Sequence, residues 1–251
     1  MRERKPAWTE LPSALRLLIE ERAGSRIERT QRVYGGYGPS VTLRVVTQDG
    51  ARLFLKGAGP DSNEVNWTSV PFEQRLYESG AVSGIAPRYL GSVEYPGWHL
   101  LLLEDLGHRG RVPPWTDARA RAVLAAMARF HATVPPLLDL APVSPELGGN
   151  WARIRSDRAV RQAFLALADD PALGGSWLSR ALPALERAEA DALSPAYPAG
   201  FLHTDIRSDN LRVVDGRLVL FDWANAARGS LILDPVFFLP SLVQESGLDP
   251  T

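Results

Sequence analysis

Three side chains late in the chain are spaced as if to act together: Asp205, Asn210 and Asp222, with His203 two residues ahead of the first. They lie in "FLHTDIRSDN" (201–210) and "NLRVVDGRLVLFDW" (210–223). The second stretch reads as a β-hairpin, because Asp215-Gly216 is a turn dipeptide between apolar runs. A two-residue turn pairs 214 with 217, so 210 falls opposite 221. Asn210 and Asp222 then emerge side by side at the open end. Directly opposed residues lie about 5 Å apart. An amide oxygen and a carboxylate held there are hard ligands suited to Mg²⁺. Asp205 sits on the loop entering the hairpin and has the reach to face a substrate. Singly, Asp205 and Asn210 read as turn caps; the set of three in this geometry reads as a site.

The elements that must hold this site follow from pattern. "LPSALRLLIEERAG" (11–24) spaces Leu15, Leu18 and Ile19 as a short amphipathic helix. From 31 the pattern turns to strands: "SVTLRVV" and "ARLFLKG" flank an Asp49-Gly50 turn, after a glycine-rich turn at Gly35, Gly36 and Gly38. "SVPFEQRLYESG" predicts a helix with Ser69 as N-cap, Pro71 in its first turn and Gly80 as its stop. "RYLGSVEYPGWHLLLLEDLG" gives two strands around a Pro-Gly turn, the second buried. Beyond 107, "WTDARARAVLAAMARFHATVP" places Val123, Leu124, Met127, Phe130 and His131 on one helix face. Helical segments continue through 150–193, and strand signals return only at 210–223. The expected fold is α+β with two lobes: an N-terminal antiparallel β-sheet lobe with one main helix (1–103), a connector (104–107) and a larger, mainly helical lobe (108–251). Ligand sites favour such junctions.

Composition narrows the classes. Of 251 residues, 45 % are apolar and 23 % charged, an ordinary globular mixture with a core to bury. A net charge of −1 gives no bulk attraction to nucleic acid. There is no Cys, which excludes disulfides and thiolate metal sites. No signal peptide or bilayer-spanning run is evident, so a cytoplasmic protein, monomeric or weakly dimeric, is expected. Lys occurs only at 5 and 56; positive charge elsewhere is Arg. Lys5 is expected in a frayed terminus and Lys56 on a strand.

"HTDIRSDN" followed by "LFDW" resembles the His-x-Asp-x-x-x-x-Asn and Asp-Phe-Gly elements of kinase-like phosphotransferases. The chain looks more narrowly like the aminoglycoside phosphotransferase family of small-molecule kinases. The likeness runs from about 31 to 243 and includes "GGYGPS", Lys56, "FEQRLYE", "LLLEDLG" and "LDPVFFLPSL". It implies a protein-kinase-like fold and Mg²⁺-dependent transfer of a phosphate from ATP, with GTP as the other candidate, to a hydroxyl of a small molecule.

The resemblance also implies roles. Lys56 would neutralise nucleotide phosphates while Glu73, rather than Glu78, holds it. A compact ammonium on a thin stem reaches a phosphate cleft more readily than the rigid guanidinium fork. Asp205 would accept the acceptor's proton, and Asn210 and Asp222 would hold the metal. Gly36, Gly38 and Ser40 would cover the phosphates, and the backbone of Glu104 to Leu106 would meet the base. Arg207 is expected to approach the γ-phosphate or form a surface salt bridge. Asp205 is expected to face the cleft unpaired with any Arg. His203 and His131 are expected to be structural, and Asp234 to brace the loop or cap the next helix. Asp157, Asp169 and Asp170 are candidates for a cationic acceptor, with solvated helix surface as the plainer reading. The pattern departs from the family in two places: the glycine loop lacks a full G-x-G-x-x-G, and Thr204 stands where the family usually has Gly. The family usually continues with further helices, so the expectation is a short C-terminal lobe or a piece of a longer protein. A nucleotide-binding regulatory protein without turnover is the rival reading. The short segment from Trp223 to Leu233 argues against a protein kinase.

Overall fold

The computed structural model describes residues 5–34, 40–132, 139–143, 148–166, 175–194 and 198–246. Gly36, Gly38, Asp169 and Asp170 lie outside the described residues. The N-terminal part is one antiparallel sheet of β1 (Ile27–Arg32), β2 (Val41–Thr47), β3 (Arg52–Ala58), β4 (Tyr89–Tyr95) and β5 (Trp98–Glu104), in the order β1-β2-β3-β5-β4. Its two faces are covered by different helices. Leu15 and Ile19 of α1 (Ser13–Ala23) pack on Leu43, Val45, Leu55, Leu100 and Leu102. Val70 and Leu76 of α2 (Glu64–Glu78) join Leu101 and Leu103 in the other core. Burial on both faces explains why β5 reads "LLLL" without alternation.

Helices α3 (Asp117–Ala132), α4 (Asn150–Ser156), α5 (Arg158–Ala166) and α6 (Gly175–Ala192) follow. Then come β6 (Ala199–Leu202), the hairpin β7 (Leu211–Val214) and β8 (Arg217–Leu220), β9 (Ala227–Ser230) and α7 (Leu233–Ser246). Val123, Met127 and Phe130 of α3 are buried with Phe201, Trp223 and Phe238, so this core lies under the predicted site. No helix among the described residues is long and apolar enough to cross a membrane.

Several expectations are corrected. β1 was not anticipated before residue 31, because as an edge strand it buries almost nothing and shows no alternation. β6 and β9 pair with each other but are only four residues each, too short for a periodic signal. Helix α2 begins five residues before Ser69. Asn63 caps it by accepting from the Asn66 N–H at 2.9 Å, and Pro71 lies in its interior. Leu124 turns to solvent. Lys5 is buried and donates to Ser40 Oγ at 2.8 Å, so this end of the chain is docked rather than frayed.

Gly57, next to Lys56, is required by closeness of strands. A Cβ there would lie 2.1 Å from the His99 carbonyl oxygen and 2.7 Å from Leu100 Cα, both backbone atoms. Gly57→Ala should therefore lower the urea midpoint by an amount equivalent to about 1–3 kcal/mol, with the m-value retained.

Candidate active site

The hairpin has the register its turn dictates. Val214 pairs with Arg217 and Leu211 with Leu220, and Phe221 N donates to Asn210 O at 2.8 Å. Asn210 and Asp222 therefore stand at the open end of the same hairpin. Their side chains have different partners. Asn210 Nδ2 donates to Asp205 Oδ2 at 2.8 Å and to the Asp205 carbonyl at 3.1 Å. Asp222 adopts a left-handed backbone (φ 62°), which Asp tolerates, and its Oδ1 accepts from Lys56 Nζ at 2.8 Å. Among the described residues no three His, Asp or Glu side chains cluster as a metal site. A metal held by Asn210 and Asp222 would take its other ligands from phosphate and water, as Mg²⁺ commonly does.

Lys56 links three elements. It leaves β3, donates to Glu73 Oε2 of α2 at 2.6 Å and reaches Asp222 after β8. Glu73 Oε1 also accepts from Trp223 N at 3.2 Å, so one carboxylate clamps both the lysine and the backbone beyond Asp222. Glu78 instead accepts from Gln74 and Tyr89. Burial alone would push the Lys56 pKa down; Glu73 and Asp222 outweigh it and hold the ammonium charged, above its usual range. Burial, helped by Asp222, raises Glu73 above the ordinary carboxylate range. Lys56 holds Asp222 below it. The two carboxylates differ in access: side-chain exposure is 1 % for Glu73 and 45 % for Asp222. Glu73 is the fixed strut, and Asp222 is the partner open to exchange.

The loop carrying Asp205 is braced from beneath by Asp234. Its carboxylate, fully buried at the start of α7, accepts from His203 N (3.1 Å) and Thr204 N (2.8 Å) and lies 2.9 Å from His131 Nε2. Thr204 has φ 65°, a left-handed conformation that a β-branched residue adopts at a cost of about 1–2 kcal/mol. The Asp234 bond and its own Oγ1 bond to Asn225 O (2.7 Å) hold it there. Glycine would take this conformation freely, which explains the residue type expected at 204. His203 lies 2.8 Å from Phe221 O through Nε2 and accepts from Asp205 N through Nδ1. One ring nitrogen donates and the other accepts, which is the neutral imidazole. It is a structural residue.

Asp205 is not free of arginine. Arg207 Nε lies 3.4 Å from Asp205 Oδ1, and Arg207 Nη2 donates to Asp209 at 2.8 Å. The expectation of an unpaired Asp205 is corrected: Arg207, two residues on in an extended stretch, folds back along the loop. Both Asp205 oxygens thus have a neighbour, Arg207 on one and Asn210 on the other.

At the connector, Glu104 N and Asp105 N already donate to Arg88 O and Arg52 O. Of the expected base-binding backbone, those two amides are used, and the Leu106 carbonyl accepts from Arg109 N at 3.2 Å. Sequence reading missed Asp105, which is buried and ion-paired to Arg44 (3.2 Å) and Arg52 (3.7 Å). The signal available was an acid at the end of an apolar strand facing two Arg on neighbouring strands. Asp157 accepts from the N–H groups of Ala159 and Val160 and is a helix cap.

Burial lowers the His203 pKa, opposed chiefly by Asp234. Below about pH 6.5 the unfolded imidazole takes up a proton that the folded one refuses, so stability falls as pH falls through that window and is level above it. In urea unfolding between pH 5 and 7, His203→Gln should flatten this slope relative to the parent, by at most about 1.4 kcal/mol per pH unit.

The sequence profile of the phosphotransferase enzyme family (APH) matches residues 30–249. Among curated sequences none matches. Among solved structures, amicoumacin kinase hAmiN in complex with AMP-PNP, Ca²⁺ and Ami is similar at TM-score 0.59 and 11 % identity, over 93 % of this chain and 70 % of that one. An aminoglycoside phosphotransferase from Alicyclobacillus acidocaldarius gives TM-score 0.54 and 18 % identity, over 87 % and 69 % of the two chains. Macrolide 2'-phosphotransferase type I gives 0.54 and 15 %, over 96 % and 83 %. These likenesses show the fold, a two-lobed protein-kinase-like α+β architecture. With the family profile covering most of its length, the chain belongs to the phosphotransferase enzyme family.

Proposed function

We propose that the protein transfers the γ-phosphate of a nucleoside triphosphate, ATP in the family's usual form, to a hydroxyl of a small molecule. The observation that carries this reading is Lys56, ion-paired between a buried Glu73 and an accessible Asp222 where the sheet meets the hairpin. Residues 104–107 then act as the connector between the lobes, with the nucleotide between them.

Phosphoryl transfer depends on positioning and charge neutralisation, so charged groups rather than a covalent nucleophile are needed. Lys56 offers its charge to the phosphates. Asn210 and Asp222 have the hard oxygens to hold Mg²⁺, which when bound neutralises phosphate charge. Asp205 accepts the proton of the acceptor hydroxyl as the hydroxyl oxygen bonds to the γ-phosphorus. The bond to the β-phosphate oxygen breaks, and the nucleoside diphosphate leaves with that electron pair. Asn210 and Arg207 fix the orientation of the Asp205 carboxylate, which still has free lone pairs for the proton. Asp205 is oriented for this by the Asp234 brace under its loop.

With an acceptor in hand, Asp205→Asn should keep nucleotide affinity while transfer falls by roughly 10²–10⁴-fold. Lys56→Ala should weaken nucleotide binding or abolish transfer. An Asp205→Asn variant that turns over near the parent rate would make Asp205 a turn residue. Tight nucleotide binding with no transfer to any hydroxyl compound would favour the non-catalytic, regulatory reading.

A further inference from the structure

We infer that the base end of the cleft is built to take guanine, so that GTP is preferred to ATP, with Arg212 as the selecting residue. The inference rests on the nucleotide-dependent reading above.

The placement follows from register. Phe221 is opposed to Asn210, and opposed residues in an antiparallel ladder share a face. Arg212 lies two residues beyond Asn210 in β7, so Asn210, Arg212 and Phe221 look the same way. The Arg212 guanidinium sits 5.2 Å from the centre of the Phe221 ring. On the facing sheet Lys56 pairs with Thr42, and two residues further Phe54 pairs with Arg44. That end of β3 adjoins the connector, since Phe54 also pairs with Leu103. Val213 N donates to Gly110 O at 2.8 Å, which brings the Arg212 end of β7 to the segment just after the connector. One cleft therefore runs about 7 Å from Lys56 and Asn210 to Arg44 and Arg212.

The chemistry of that end is one-sided. Arg44 is already engaged: it ion-pairs with Asp105, donates to Gly107 O at 3.0 Å and lies 3.4 Å from His108 Nε2. Arg212 meets no carboxylate among the described residues: one Nη1 hydrogen goes to Leu211 O at 2.6 Å and Nε is closed off by burial, which leaves Nη2 and the second Nη1 hydrogen without a protein partner. A guanidinium has five donors and no acceptor. Guanine presents two acceptors, O6 and N7, to such a fork, whereas adenine presents N7 beside the N6 donor. Guanine satisfies the Nη donors that Arg212 leaves open; adenine sets a donor against them.

The test is calorimetric titration of the whole chain with Mg-GMP-PNP and with Mg-AMP-PNP. The parent should bind the guanine analogue at least about tenfold more tightly, the low end of what one bidentate contact discriminates. Arg212→Leu, and Arg212→Lys with charge but no fork, should both bring the ratio toward one. Equal or tighter binding of Mg-AMP-PNP by the parent overturns the inference without touching the phosphotransferase reading. A parent preference for guanine that survives in both variants removes Arg212 as its cause. Binding of neither analogue brings down the nucleotide-dependent reading itself, and the inference with it.

Discussion

A lysine ammonium cannot be buried without opposite charge close by, and the architecture around Lys56 follows from that requirement. The two carboxylates that meet it come from places far apart in sequence, Glu73 on α2 and Asp222 beyond β8. Their convergence fixes how α2 lies on the sheet and how the hairpin meets it. Glu73 adds a second tie through the Trp223 N–H, so the segment after Asp222 is pinned by the same side chain. The difference in exposure between the two acids divides their work. The buried one is a fixed strut, and the exposed one is the partner that solvent reaches.

A second constraint lies beneath the loop that carries Asp205. Asp234, His131 and His203 come from α7, α3 and the loop itself, and the buried Asp234 carboxylate meets the His131 ring and the His203 N–H. It satisfies backbone N–H groups that a left-handed Thr204 would otherwise leave open. Trp223 seals the arrangement, with its ring against His203, Phe130 and Phe201. The acidic side chains of the candidate site thus stand on a packed aromatic floor.

Much of this was legible in the sequence because it depends on local rules. Asp215-Gly216 dictates a two-residue turn, and the turn dictates that 210 faces 221; the register then had no freedom. The rarity of lysine marked Lys56, and the family resemblance favoured Glu73 over Glu78. What stayed hidden depends on long-range contacts. Nothing local says that Lys5 docks on Ser40, or that Asp105 gathers Arg44 and Arg52. The start of α2 was misplaced because Pro71 looked like a first-turn proline, whereas the Asn63 cap and the packing of Val70 and Leu76 carry the helix through it. The pairing of Asp205 with Arg207 was missed because an i, i+2 contact needs an extended backbone that bends back, which no pattern announces.

The most direct test of the central claim is a double-mutant cycle on Mg-nucleotide affinity, with Lys56→Met, Glu73→Gln and the double variant, each checked for folding. If Glu73 acts by holding Lys56 in place for the phosphates, the second substitution costs little once the first is made. The coupling should then exceed about 1 kcal/mol. Additive losses within about 0.3–0.5 kcal/mol would contradict the account, because they would mean that Lys56 reaches the nucleotide without Glu73.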